Sequence, residues 1–214
     1  MEKTSKKIGF IINDSTTDYG KELIAGISEE CEKNDSSLLI FPVGEFGMTY
    51  DQFGYQKRAV ASFATSHNLD GIIFSSATQL THVESEVLED YVYSFSSVPI
   101  VSIGVDIPNI PSILVDCSMG LRNLIEHLIK KHNCKKFGFM TAGKTSIEAD
   151  ERFEVFKQVL AENNLEFDNS NLLYGFFSYE MAYKAMAEYE KSHGPIDFDA
   201  LICINDNMAL GAMD

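Results

Sequence analysis

The sequence predicts an α/β fold of two doubly wound, parallel-sheet lobes, the second truncated at its carboxyl end. Three observations predict it. Apolar runs of strand length alternate along the chain with longer amphipathic segments. Those runs are apolar at nearly every position, as strands covered on both faces by helices must be. The alternation breaks once, between Gly104 and Pro111, where two prolines and an aspartate interrupt it. The boundaries drawn from this break are 1–111 for the N-terminal lobe and 112–214 for the incomplete C-terminal lobe.

The first strand is Lys6 to Ile12, followed by a polar loop from Asn13 to Asp18. Leu23, Ile24, Ile27 and Cys31 then recur at helical spacing as one apolar stripe. Ser37 to Val43 reads as a second strand, and Tyr50 to His67 as a helix with Val60, Phe63 and Ala64 inward. A third strand, Leu69 to Phe74, ends on Ser75-Ser76; a helix over Val83 to Phe95 and a strand over Pro99 to Ile103 complete the lobe. Past the break, Ile113 to Val115 forms a short strand, and the helix Met119 to Lys131 carries Leu121, Leu124, Ile125, Leu128 and Ile129 on its apolar side. There follow a strand at Phe137 to Met140, a loop to Ser146, a helix over Glu148 to Asn163 and a strand near Leu172 to Tyr174. A helix over Tyr179 to Lys191 and a strand over Ala200 to Ile204 lead into a last helix around Met208 to Met213. No internal repeat is evident in the sequence.

Composition narrows the function. With 45% hydrophobic residues in 214, the chain has enough apolar mass for a folded core. Its formal net charge of −15 repels phosphate backbones, so nucleic acid is not an expected partner of this chain. Cys31, Cys117, Cys134 and Cys203 are scattered with no CxxC pair, which argues for reduced thiols rather than a zinc ribbon or redox motif. The basic N-terminus is followed by an apolar run too short for a signal peptide, and no run reaches transmembrane length. A cytoplasmic protein without membrane contact is the expectation.

Open α/β sheets bind ligands at the carboxyl ends of their strands. Asp14, Thr16, Thr17 and Tyr19 follow the first strand, Ser75 and Ser76 the third, and Asp106 the fourth. The second lobe contributes Arg152, Phe176, Phe177, Asn205 and Asp206. Carboxylates and amides beside an arginine suit a polyhydroxyl guest, and an aromatic ring covers its apolar face. Each residue also has a structural reading. Asp106 lies two positions before a proline and fits a turn. Arg152 has Glu148, Asp150 and Glu151 as surface partners, and Asp206 fits a helix N-cap. The three aromatic residues fit a core.

Taken together, IGFIIND, LDGIIFSS, VPIVSIGVD, VDCSMGLRNLIEHLIKKHNCKKFGFMTAG, ERFEVFKQVLAENNL and DALICINDNMALGAM resemble, in order and spacing, the ligand-binding domain of the LacI/GalR and type I periplasmic sugar-binding proteins. The resemblance implies that Asp106, Arg152 and Asn205 contact an effector, that Phe177 stacks on it, and that Tyr19 stands where binding proteins often carry a phenylalanine. It also implies a homodimer and closure of the two lobes on the ligand. The chain departs from many relatives at Thr17-Asp18-Tyr19, where they have Asn-Pro-Phe, and lacks their glycine in the helix after Arg152. There is no room before the first strand for a helix-turn-helix, and relatives continue with further strands past Met213.

The expected function is therefore a sugar- or nucleoside-like effector sensor of a LacI-type regulator or signalling protein. A solute receptor for an ABC sugar transporter is the alternative. Within the family, this branch also resembles sensors placed ahead of diguanylate cyclases, kinases or AraC-type regulators. Catalysis by the domain itself is not expected, since GxSxG, P-loop and GxGxxG motifs are missing. No cofactor and no metal are expected: Asp14 and Asp18 sit in a solvated loop, and His127, His132 and Cys134 form only a loose cluster.

Overall fold

The computed structural model describes residues 5–44, 54–79, 85–143 and 147–214. The chain divides into two compact units, Met1–Val115 and Asp116–Asp214. In the first, β1 (Lys6–Ile12), β2 (Ser36–Pro42), β3 (Gly71–Ser75), β4 (Ile100–Ile103) and β5 (Ser112–Ile113) form one sheet in the order β2-β1-β3-β4-β5. Every pairing in it is parallel. Helices α1 (Asp18–Lys33), α2 (Gly54–Ala61) and α3 (Ser85–Tyr93) connect the strands. The second unit holds α4 (Ser118–His132), β6 (Phe137–Thr141), α5 (Ile147–Glu162), β7 (Leu172–Tyr174), α6 (Tyr179–His193), β8 (Ala200–Cys203) and α7 (Asp206–Met213). Its sheet runs β7-β6-β8, again parallel throughout. The central strands β1, β3 and β6 are the most buried, which explains the apolar runs Ile8 to Ile12, Gly71 to Phe74 and Phe137 to Met140.

Each core is mostly aliphatic, with a cluster of aromatic rings within it. In the first unit Tyr91 meets Phe74 and Phe95 edge-to-face, and Phe74 and Phe95 are tilted to each other, with centroids 5.3 to 6.0 Å apart. Phe139, Phe153, Phe156 and Phe167 form a continuous cluster between β6 and α5 in the second.

One device, hard to see in the sequence, recurs within each unit. Asp70, one residue before β3, accepts the Lys7 N–H of β1 at 2.9 Å; Asp199, one residue before β8, accepts the Lys136 N–H at the same distance and the same 63-residue spacing. Just ahead of these aspartates, Leu69 and Phe198 lean over Gly9 and Gly138, where a Cβ would meet them at 2.5 and 3.0 Å. Each glycine lets a strand lie flat under a large side chain. The two units thus share one plan.

Several expectations need correction. The helix predicted over Tyr50 to His67 is observed only over Gly54–Ala61; its residues 50–53 lie outside the described residues, as do residues 83–84 of the next predicted helix and 144–146 of the predicted loop. The Ser62 hydroxyl bonds back to the Ala59 carbonyl and the chain breaks into turns. Ala61 and Ala64 consequently face the core, while Phe63 is 65% exposed and Val60 also lies outside it. Pairing with β4 ends at Ile113, so Leu114 and Val115 are exposed loop rather than strand. On α4, Ile125 is buried but Leu124 is exposed.

Candidate functional site

The carboxyl end of β1 and the first turn of α1 position the first group of candidates. The Asp14 carboxylate accepts both the backbone N–H and the hydroxyl of Thr16, each at 2.7 Å. Those bonds, the backbone one foremost, hold its pKa below the ordinary aspartate value, with Lys57 and Lys21 adding attraction. Thr17 is the N-cap of α1: its hydroxyl accepts the Gly20 N–H at 3.0 Å. Gly20 is needed there, since a Cβ would lie 2.6 Å from the Asp14 carbonyl. Tyr19 is half exposed on the same turn.

At the end of β3, Ser75 is fully buried and receives the Thr78 hydroxyl at its carbonyl and its Oγ. Ser76 and Ser102 share a hydrogen bond of 2.8 Å, and Ser102 donates onward to the Val105 carbonyl. These hydroxyls are occupied in holding loops together. Asp106 is exposed and has no hydrogen bond or ion pair to any other described residue. It stands just outside a turn, Ile107 to Ile110, closed by Ile110 N–H to the Ile107 carbonyl at 3.1 Å. Pro108 and Asn109, with φ at 60°, occupy the two central positions as a type II turn requires. The proline motif therefore builds the turn after Asp106, not around it.

The second unit brings its candidates together. Arg152, on α5, keeps 19% of its side chain exposed. One terminal nitrogen donates to the Ile204 carbonyl at 2.9 Å; the other meets Glu148 and, at 3.4 Å, the Sγ of Cys117. Five N–H groups belong to a guanidinium and three are engaged here. Asn205 follows Ile204 and is the N-cap of α7, accepting the Met208 N–H at 2.9 Å. The cap expected at Asp206 is thus one residue earlier, and Asp206 opens the helix with an exposed carboxylate that suits the helix dipole. The Asn205 amide donates to the Phe177 carbonyl at 3.3 Å, tying β8 to the loop after β7.

That loop is strained. Gly175 to Ser178 is a tight turn, closed at 2.9 Å, whose central residues Phe176 and Phe177 have φ of 48° and 57°. Two successive phenylalanines occupy left-handed positions that normally take glycine or asparagine. Phe177 packs against the core, whereas Phe176 is 44% exposed and stacks on Tyr174 with centroids 6.3 Å apart. Gly143, at the end of β6, lies against the Phe176 ring. The aromatic face open at this edge is therefore that of Phe176. Sequence reasoning missed Cys117 as a partner of Arg152, because 35 residues and no motif separate them.

The other chemistry is quiet. Among the described residues no group of three or more His, Cys, Asp and Glu side chains is placed to hold a metal ion. The four cysteines are free thiols, and burial pushes that of Cys203 up to about 11. No described helix is long and apolar enough to cross a membrane.

Known proteins share this architecture. The chain is 28% identical over 212 residues to the HTH-type transcriptional repressor PurR of Mannheimia succiniciproducens, a match covering 98% of this chain and 59% of that protein. It is 27% identical over 214 residues to catabolite control protein A of Staphylococcus epidermidis, covering 99% and 59% respectively. The chain thus spans about 59% of the length of these curated relatives. Its fold matches the transcription regulator CcpA of Lactococcus lactis with a TM-score of 0.76 at 21% identity, over 98% of this chain and 71% of that one. It matches the transcriptional regulator CelR in its cellobiose complex with a TM-score of 0.74 at 17% identity, over 97% and 61%. The family model for periplasmic binding proteins and the sugar binding domain of the LacI family matches residues 5–214, and the chain belongs to that family.

Proposed function

We propose that this chain is the effector-binding domain of a LacI-type transcription regulator, and that its effector is a small polar metabolite of the sugar or nucleoside class. The observation that carries the reading is the network of Arg152, Ile204, Asn205 and Phe177 at the carboxyl edge of the second sheet. It holds a guanidinium with N–H groups to spare beside an amide and the open ring of Phe176. A polyhydroxyl guest supplies acceptors for the donors and an apolar face for the ring. In the first unit, Asp106 is an exposed carboxylate at a strand end, and Asp14, Thr17 and Tyr19 follow its first strand; Asp206 opens α7 in the second unit, while Ser75 is buried and supports the loop after β3.

The names of the relatives, a repressor and a catabolite control protein, favour a transcriptional output over a cyclase or kinase output. The strongly negative charge assigns any DNA contact to another part of the regulator. We assign the protein to the cytoplasm, as a homodimer; light scattering is expected to give the mass of two chains, and the mass of one would contradict that. The family description also covers solute receptors of transporters, and export of the native protein would favour that role instead.

The test is a thermal-shift titration with hexoses, pentoses, disaccharides and nucleosides; cellobiose is included because it occupies one structural neighbour. At least one compound is expected to raise the unfolding midpoint of the wild-type protein and not that of Arg152→Met. A flat response to the whole panel would contradict the proposal.

A further inference from the structure

The histidines of α4 carry an arrangement that the effector reading leaves unused. His127 and His132 are both exposed, and their Nε2 atoms face each other at 3.1 Å. The ring centroids are 4.9 Å apart, so the rings splay outward and the two nitrogens are the parts that converge. The spacing along the helix does not suggest this, because residues five apart do not share a face. It occurs in the last turns of the helix, which closes where Asn133 turns left-handed at φ 57° and the Cys134 N–H bonds back to the Leu128 carbonyl. Cys134 itself turns into the core, leaving the two imidazoles without it.

We propose that His127 and His132 together chelate one borderline transition-metal cation, such as Cu2+, Ni2+ or Zn2+. Imidazole nitrogen is a preferred ligand for these ions. At metal–nitrogen bonds of about 2.0–2.1 Å, nitrogens 3.1 Å apart subtend roughly 100° at the metal, between cis square-planar and tetrahedral values. With metal bound, both rings take the Nδ1–H form and each Nε2 donates its lone pair. A proton that bridges the two Nε2 atoms between neutral rings moves to Nδ1 of its own ring through water, so a neutral pair binds metal without net loss of a proton. Water fills the remaining coordination positions. Lys130, paired with Glu126, and Lys131 are the charged neighbours in the same turn. Against the lysines stand the negative end of the α4 dipole and a net charge of −15 on the chain. Cys117, beside Arg152, lies at the opposite end of this helix, about 20 Å away along its axis, so the metal and effector sites are separate.

The experiment is calorimetric titration of the tag-free wild-type protein with Ni2+ and Cu2+, repeated on His127→Gln, His132→Gln and the control His67→Gln. One saturable equivalent is expected in wild type and in His67→Gln, weakened about tenfold or more in each of the other two. The Cu2+ form of the wild type is expected to show coupling to two imidazole nitrogens by electron paramagnetic resonance. Uptake that is undiminished in both α4 variants, the absence of a saturable site, or coupling to a single nitrogen would each overturn the proposal. None of these readouts depends on identifying the effector.

Discussion

Arg152 concentrates the residue-scale argument, since one guanidinium joins α5 to the end of β8 and to the start of α4. Its planar fork reaches an Ile204 carbonyl, a carboxylate and a thiol at once, and an ammonium cannot. Arg152→Lys is therefore expected to lose about 1–2 kcal/mol in urea denaturation and most of the effector response; an unchanged midpoint would refute the role of the fork. The residue itself is legible in the sequence as a basic side chain at a helix start, and so is its neighbour Glu148. Its other partners are not, because they lie 52 and 35 residues away. Phe176 gives a second prediction. A left-handed phenylalanine costs about 1–2 kcal/mol, and asparagine tolerates that backbone better. Phe176→Asn should raise stability by about 0.5–1 kcal/mol while weakening the effector response, a trade expected where strain serves binding. Stability that falls, or a response that survives, would separate the strain from the site. The sequence points to an aromatic here, but which of Phe176 and Phe177 faces outward depends on backbone angles that side-chain identity does not encode.

Among the elements, α7 is the most instructive. Asn205 satisfies the Met208 N–H and also ties the Phe177 loop, while Asp206 only faces the helix dipole. Asn205→Ala should cost about 1 kcal/mol or more, and Asp206→Ala no more than about 0.5 kcal/mol. Equal losses in thermal or urea unfolding would contradict the observed cap. Both residues suit a cap by type, and adjacent residues compete for one position, so the backbone decides which is used. The strands were easier to anticipate than the helices. Central strands covered on both faces are apolar through their buried length, and Ile8 to Ile12 and Phe137 to Met140 stand out for that reason. Helix α2 ends six residues earlier than its apolar pattern suggests, because Ser62 takes a helix carbonyl for its own hydroxyl.

For the molecule as a whole, the shared plan of the two units predicts a common response to acid. Asp70 and Asp199 accept backbone N–H groups at the start of β1 and β6, and those bonds hold both carboxyls below the ordinary value of 3.8. A depressed folded pKa gives stability that is complete above the ordinary value and is lost as pH falls through the folded one. The Asp70→Asn, Asp199→Asn double variant should therefore show a flatter decline of stability below about pH 4 than wild type; a parallel decline would contradict the assignment. The repeat behind this prediction is easy to pass over in the sequence because it consists of two short patterns, Lys-Lys-x-Gly-Phe and Asp-x-x-Ile, set 63 residues apart from second lysine to aspartate among otherwise different residues. Charge and hydropathy, by contrast, can be read directly from the sequence, and they supply the expectation that this chain itself does not bind nucleic acid.

Hydrogen exchange in the presence and absence of an effector that raises the unfolding midpoint tests the central claim most directly. The amides of Gly175 to Ser178 and of Ile204 to Met208 are predicted to gain protection together. Protection confined to other segments, with these two unchanged, would contradict a site built on Arg152 and Asn205.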